Sequence, residues 1–89
     1  MSETQKPPLA VALHYDGEGA PKVTATGRGV LAEAIVQSAR DHGVPIQENA
    51  PLAEMLAQVD LDERIPEELY RAVAEVLAFV LRSASRQFR

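Results

Sequence analysis

Eighty-nine residues with no cysteine and a formal net charge of −4 make one small domain, which buries about 60 to 65% of the surface it exposes when unfolded. The missing cysteines exclude disulfide frameworks, thiolate zinc sites and cysteine nucleophiles, and suit a reducing cytoplasm. Scattered basic residues among more numerous acids argue against a nucleic-acid partner, since phosphate neutralisation needs clustered Lys and Arg. Arg82, Arg86 and Arg89 gather at the end of the chain, where cations favour the negative end of a helix dipole. Met1 to Pro8 lacks the basic and apolar regions of a signal peptide. No apolar run reaches the roughly 18 residues of a membrane span. The longest, Ala72 to Leu81, is interrupted by Glu75 and bounded by Arg71 and Arg82.

Pro7 and Pro8 fix φ and supply no N–H, so they lead into the fold extended. Leu9, Val11, Leu13 and Tyr15 then alternate with Ala10, Ala12 and His14, the period of a strand with one larger-residue face. Asp16 to Gly19 has turn chemistry, and Lys22 to Thr26 reads as a second strand paired with the first. Gly27 and Gly29 flank Arg28, but no Lys-Ser/Thr pair follows, so this is a strand-to-helix turn rather than a phosphate loop. Val30 to His42 reads as a helix with Leu31, Ala34, Ile35 and Ala39 inward and Gly43 as terminator.

Val44 to Glu48 reads as a third strand, held to an edge or an end of the ladder by Pro45. Asn49 and Pro51 start a helix that buries Leu52, Met55 and Leu56. One further short strand is expected around Arg64 and Ile65. Pro66, Glu67 and Glu68 open the last helix, whose core stripe is Leu69, Val73, Val76 and Val80. The class is α/β: a small mixed β-sheet of about four short strands wrapped by three to four helices. Residues 1–8 are expected to form a disordered or extended lead, 9–82 the domain and 83–89 a frayed tail.

The last helix carries a second apolar stripe, Ala74, Leu77, Ala78 and Leu81. A helix apolar on most of its circumference is buried or bound to something, and both outcomes fit a domain this small. Catalytic constellations are thin. His14 and His42 belong to different elements with no metal-ligand spacing, so neither a metal nor a cofactor is expected. The carboxylate pairs Asp16 with Glu18, Asp60 with Asp62 and Glu67 with Glu68 lie in turns or a first helical turn, where solvation and dipole effects account for them. No neighbour activates Ser83 or Ser85 as a nucleophile.

Four segments in order, "AVALHYD", "APKVTATG", "DHGVPIQENAPLAEML" and "IPEELYRAVAEVLAFV", resemble the cytoplasmic C-terminal domain of the FlhB/YscU family of flagellar and type III secretion export proteins. The resemblance spans Leu9 to Val80, and "HGVPIQENAPLA" and "IPEELYRAVAEVLA" are its most specific parts. It implies a small mixed sheet wrapped by helices, attached in the family to a membrane domain, that selects which substrates leave through the export gate. The family's self-cleaving Asn-Pro-Thr-His motif falls here on Gln5, Lys6, Pro7 and Pro8, so the cleavage chemistry is not expected to transfer. Glu54 stands where the family commonly has a basic residue.

The resemblance implies a free-standing, non-enzymatic equivalent of the family's cleaved C-terminal fragment, starting about where that fragment starts. It is expected in the cytoplasm or peripherally at the cytoplasmic face of the apparatus. Expected partners are export substrates or their chaperones, the membrane domain of a full-length FlhB-type protein, and other export-gate proteins. Ala20, Pro21, Ala74 and Leu77 are the candidate protein-binding surface. Two alternatives stay open: a soluble competitor that sequesters substrates or chaperones, and a small hydrolase, which requires a deep pocket with convergent titratable groups.

Overall fold

The computed structural model describes residues 7–87, with side chains through Ala78. The elements run β1 (Leu9–His14), β2 (Lys22–Arg28), α1 (Val30–Asp41), α2 (Ala50–Leu56) and α3 (Glu67–Gln87). β1 and β2 pair antiparallel, from Leu9 opposite Arg28 to His14 opposite Lys22. The register slips once: Ala12 faces Ala25 but Leu13 faces Val23, leaving Thr24 as the extra residue of a β-bulge. The Thr24 hydroxyl donates to the Ala12 carbonyl at 3.2 Å across the bulge.

The ribbon separates two layers. On one face Val11, Leu13 and Val23 meet Leu52 and Leu56 of α2, Ile65, and Val73 of α3 in a single core cluster. The opposite face presents Ala10, Ala12, Ala25 and Gly27, small residues over which α1 lies. A Cβ at Gly27 would stand 2.6 Å from the Leu31 Cβ and 3.2 Å from the Leu31 backbone carbon, so the absent side chain sets how closely α1 approaches.

Each helix starts or stops on a local signal. Gly43, at φ 69, ends α1: its N–H donates to the Arg40 carbonyl and the Val44 N–H to the Ala39 carbonyl, the paired bonds of a Schellman motif. The Asn49 side chain accepts from the Leu52 N–H at 3.2 Å and caps α2, with Pro51 in its first turn. The Pro66 carbonyl accepts from the Leu69 and Tyr70 N–H groups at the head of α3.

Several expectations need correction. Among the described residues the sheet has two strands, not about four, and the helices number three. Val44–Glu48 forms no ladder, because the Val44 N–H is spent on the end of α1 and Pro45 has none to give. Around Arg64 and Ile65 the expected strand is one isolated bridge, Lys22 with Arg64, between a left-handed Asp62 at φ 68 and Pro66. The buried side of α1 is rotated from the expected one: Ala32 is buried and Ile35, Val36 and Ala39 half-buried, while Leu31 is 64% exposed. Only a small residue fits where α1 crosses the ribbon. Met55 is exposed, leaving Leu52 and Leu56 as the buried pair of α2.

The close approach gives a direct test. Gly27→Ala should destabilise the protein by about 1–3 kcal/mol, the usual cost of overpacking a tight contact, read as a lower midpoint in thermal denaturation. An unchanged midpoint would show that α1 shifts freely on the ribbon.

Candidate protein-docking site

The connection from β1 to β2 is tied down by one side chain from far along the chain. Asp16 accepts the Glu18 N–H at 3.0 Å through Oδ1, forming a local turn that continues through Gly17 at φ 94 and Gly19 at φ 63. Arg64 closes over it. Its Nη1 donates to the Glu18 carbonyl at 2.8 Å and the Ala20 carbonyl at 2.6 Å, and its Nη2 to Asp16 Oδ2 at 3.1 Å. Three main-chain bonds reinforce the junction: Ile65 N–H to the Pro21 carbonyl, Val23 N–H to Glu63 and Asp62 N–H to Val23.

This junction sets the positions of the candidate surface residues. Ala20 is half-buried against the core cluster, and Leu77 of α3 packs on the same cluster, so the fold brings these two to one core. Ala74 is half-buried and outside that cluster. Pro21 is fully buried, under 2% exposed, and so lies beneath the surface, not on it. Ala78 is exposed; the side chains of Val80 and Leu81 lie outside the described ones. The second stripe of α3 is therefore partly spent on the core and partly open.

Pro7 and Pro8 are exposed, and the Pro8 carbonyl accepts the Gly29 N–H at 2.8 Å; Gln5 and Lys6 lie outside the described residues. An open cleft of about 330 Å³ runs beside Pro8, Leu9 and Ala10 against Ala32, Val36, Glu33, Gln37 and Arg40 of α1. It is shallow, with Glu33 as its single acid. His14 ends β1, and His42 caps α1 with its Nδ1 2.8 Å from the Ser38 carbonyl. Among the described residues no group of three or more His, Asp or Glu is placed to hold a metal, and no helix is long and apolar enough to cross a membrane.

Two ion pairs escaped the sequence reading. Arg28, at the end of β2, grips Glu54 of α2 through its two terminal guanidinium nitrogens, Nη2 at 2.9 Å and Nη1 at 3.2 Å. The bond and the charge of Glu54 raise the Arg28 pKa. Glu54, the departure noted above, thus has a partner in this chain. Arg64 reaches acceptors 44 to 48 residues away, a separation that leaves no local signal in sequence.

Among the described residues, two strands, three helices and a loop clamped by Arg64 define a small α/β domain. The sequence pattern of the FlhB HrpN YscU SpaS Family matches residues 7–80, and the chain belongs to that family of flagellar and type III export proteins. The protein YlqH of Bacillus subtilis (strain 168) is 48% identical over 73 residues, covering 80% of this chain and 78% of YlqH. The flagellar biosynthetic protein FlhB of the same organism is 40% identical over 82 residues, 89% of this chain but 23% of FlhB. The crystal structure of the cytoplasmic domain of FlhB from Shewanella putrefaciens matches with a TM-score of 0.83 at 37% identity, over 89% of this chain and 67% of that one. The chain thus spans most of YlqH and less than a quarter of FlhB.

The clamp has a pH signature. The Arg64 hydrogen bond, then the Glu18 N–H, with the charges of Arg64 and Lys22 adding, lower the Asp16 pKa despite some desolvation. A carboxyl depressed in the folded state contributes stability above its unfolded pKa and loses it as pH falls through the folded value. The loop should therefore loosen only below about pH 4. In an NMR titration the Gly19 and Ala20 amides should shift in that range and stay flat in Asp16→Asn. Equal shifts in both proteins would remove the clamp as their cause.

Proposed function

We propose that this protein is a non-catalytic, protein-binding component of a flagellar or type III export apparatus, working in the cytoplasm or at the apparatus's cytoplasmic face. The observation that carries this is the family match across residues 7–80. In this reading the chain serves as a free-standing equivalent of the family's cleaved C-terminal fragment, which the alignment over most of YlqH supports. It docks on the membrane domain of an FlhB-type protein and receives export substrates or their chaperones. The docking surface is the apolar edge formed by Ala20, Ala74 and Leu77, with Pro21 supporting it from below. Half-buried apolar groups beside a rigid loop suit this task, since a bound segment removes them from water with little reordering.

Ala74→Asp tests the surface better than Leu77→Ala, because truncating a core-packed leucine costs about 2–5 kcal/mol and perturbs folding. The Asp variant should keep most of its melting temperature and lose capture of export substrates, since a desolvated charge opposes an apolar contact. Capture that is unchanged with folding intact removes the surface from the mechanism. Pull-downs from cells with and without an assembled apparatus separate docking on the gate from sequestration: a competitor captures substrates or chaperones in both.

With Gln5-Lys6-Pro7-Pro8 at the cleavage-motif position, no Asn side chain or neighbouring His assists attack on the backbone. The purified chain should hold one intact mass over days at neutral pH in mass spectrometry. A fragment beginning at Pro7 or Pro8, formed without protease, would contradict this.

A further inference from the structure

We propose that Arg64 is the positioning residue of the docking surface: bonded to the Glu18 and Ala20 carbonyls and the Asp16 carboxylate, it fixes the loop edge on which an apolar export segment lies. This rests on the docking reading above and adds what makes that edge rigid. Gly17 and Gly19 both sit at positive φ, and glycine is the residue most able to leave such a conformation once released. Two carbonyls and a carboxylate converge on one guanidinium, at 2.6 to 3.1 Å. A planar fork with several fixed donors meets three such acceptors; a lysine ammonium is a single point charge and does not reproduce the geometry.

The junction has ties that do not involve this side chain. The bonds from Ile65 to Pro21, from Val23 to Glu63 and from Asp62 to Val23 are all main-chain, so they survive its truncation. Beyond the Asp16–Glu18 turn, what they leave unheld is the stretch Gly19–Ala20. Without Arg64 that stretch has to be ordered when the partner binds, and the ordering is lost from affinity.

The experiment uses the full chain and a labelled peptide selected from an array tiling the exported flagellar subunits, with binding read by fluorescence anisotropy. Arg64→Ala should keep most of its melting temperature, exchange the Gly19 and Ala20 amides faster, and bind about ten-fold more weakly. Arg64→Lys should fall between the two in both exchange and affinity, a graded recovery that a charge effect alone does not give. Faster exchange in Arg64→Ala with unchanged affinity overturns the inference. If Arg64→Ala does not fold, Arg64→Lys decides, and wild-type affinity in that variant overturns it. Ala74→Asp separates the two levels. If it binds like wild type, the docking reading fails and takes this inference with it; if it loses the peptide while Arg64→Ala does not, only the inference fails.

Discussion

One extra residue in β2 decides which layer each neighbouring side chain joins. Val23, Ala25 and Gly27 share the same parity, and in an uninterrupted strand all three would point to one side. The unpaired Thr24 breaks that rule. Val23 turns to the cluster of Leu52, Leu56, Ile65 and Val73, while Gly27 stays under α1. A ribbon of only two strands can therefore separate two helical layers, each with side chains of suitable size: branched residues toward α2 and α3, alanines and a glycine toward α1.

The same bulge brings the β1–β2 loop into register with the core. Val23 exchanges main-chain hydrogen bonds with Asp62 and Glu63, and this carries Arg64 to the β1–β2 loop. Ala20 and Leu77 then border one cluster although they are remote in sequence. The polar features of this region all serve placement: an Asx-type turn at Asp16, two left-handed glycines and a guanidinium fork.

Local chemistry was legible in the sequence, and long-range pairing was not. Gly43, Asn49, Pro51 and Pro66 each act within a few residues of themselves, and each ends or begins a helix where their chemistry indicates. The alternation from Leu9 to Leu13 likewise marks β1. Periodicity gives the width of an apolar face but not its rotation about the helix axis, so Leu31 and Met55 were assigned inward although both are exposed. The segments at Val44–Glu48 and Arg64–Ile65 have strand composition, yet a ladder needs a partner with free donors. For the candidate site, the apolar character of Ala20, Pro21, Ala74 and Leu77 was visible, but the burial of Pro21 follows from the bond its carbonyl makes to Ile65, a residue 44 positions on in sequence. The Arg64 clamp and the Arg28–Glu54 fork are invisible for the same reason.

Every residue from 41 to 50 is exposed, and this stretch alone joins α1 to α2. It is a strap outside the packed layers, so its length and chemistry are decoupled from the two cores. A dye or photo-crosslinker attached at Gln47 would sit clear of both packed faces, and a few inserted residues would cost little beyond the slow growth of loop entropy with length. The domain thus offers a labelling handle set apart from both of its packed faces.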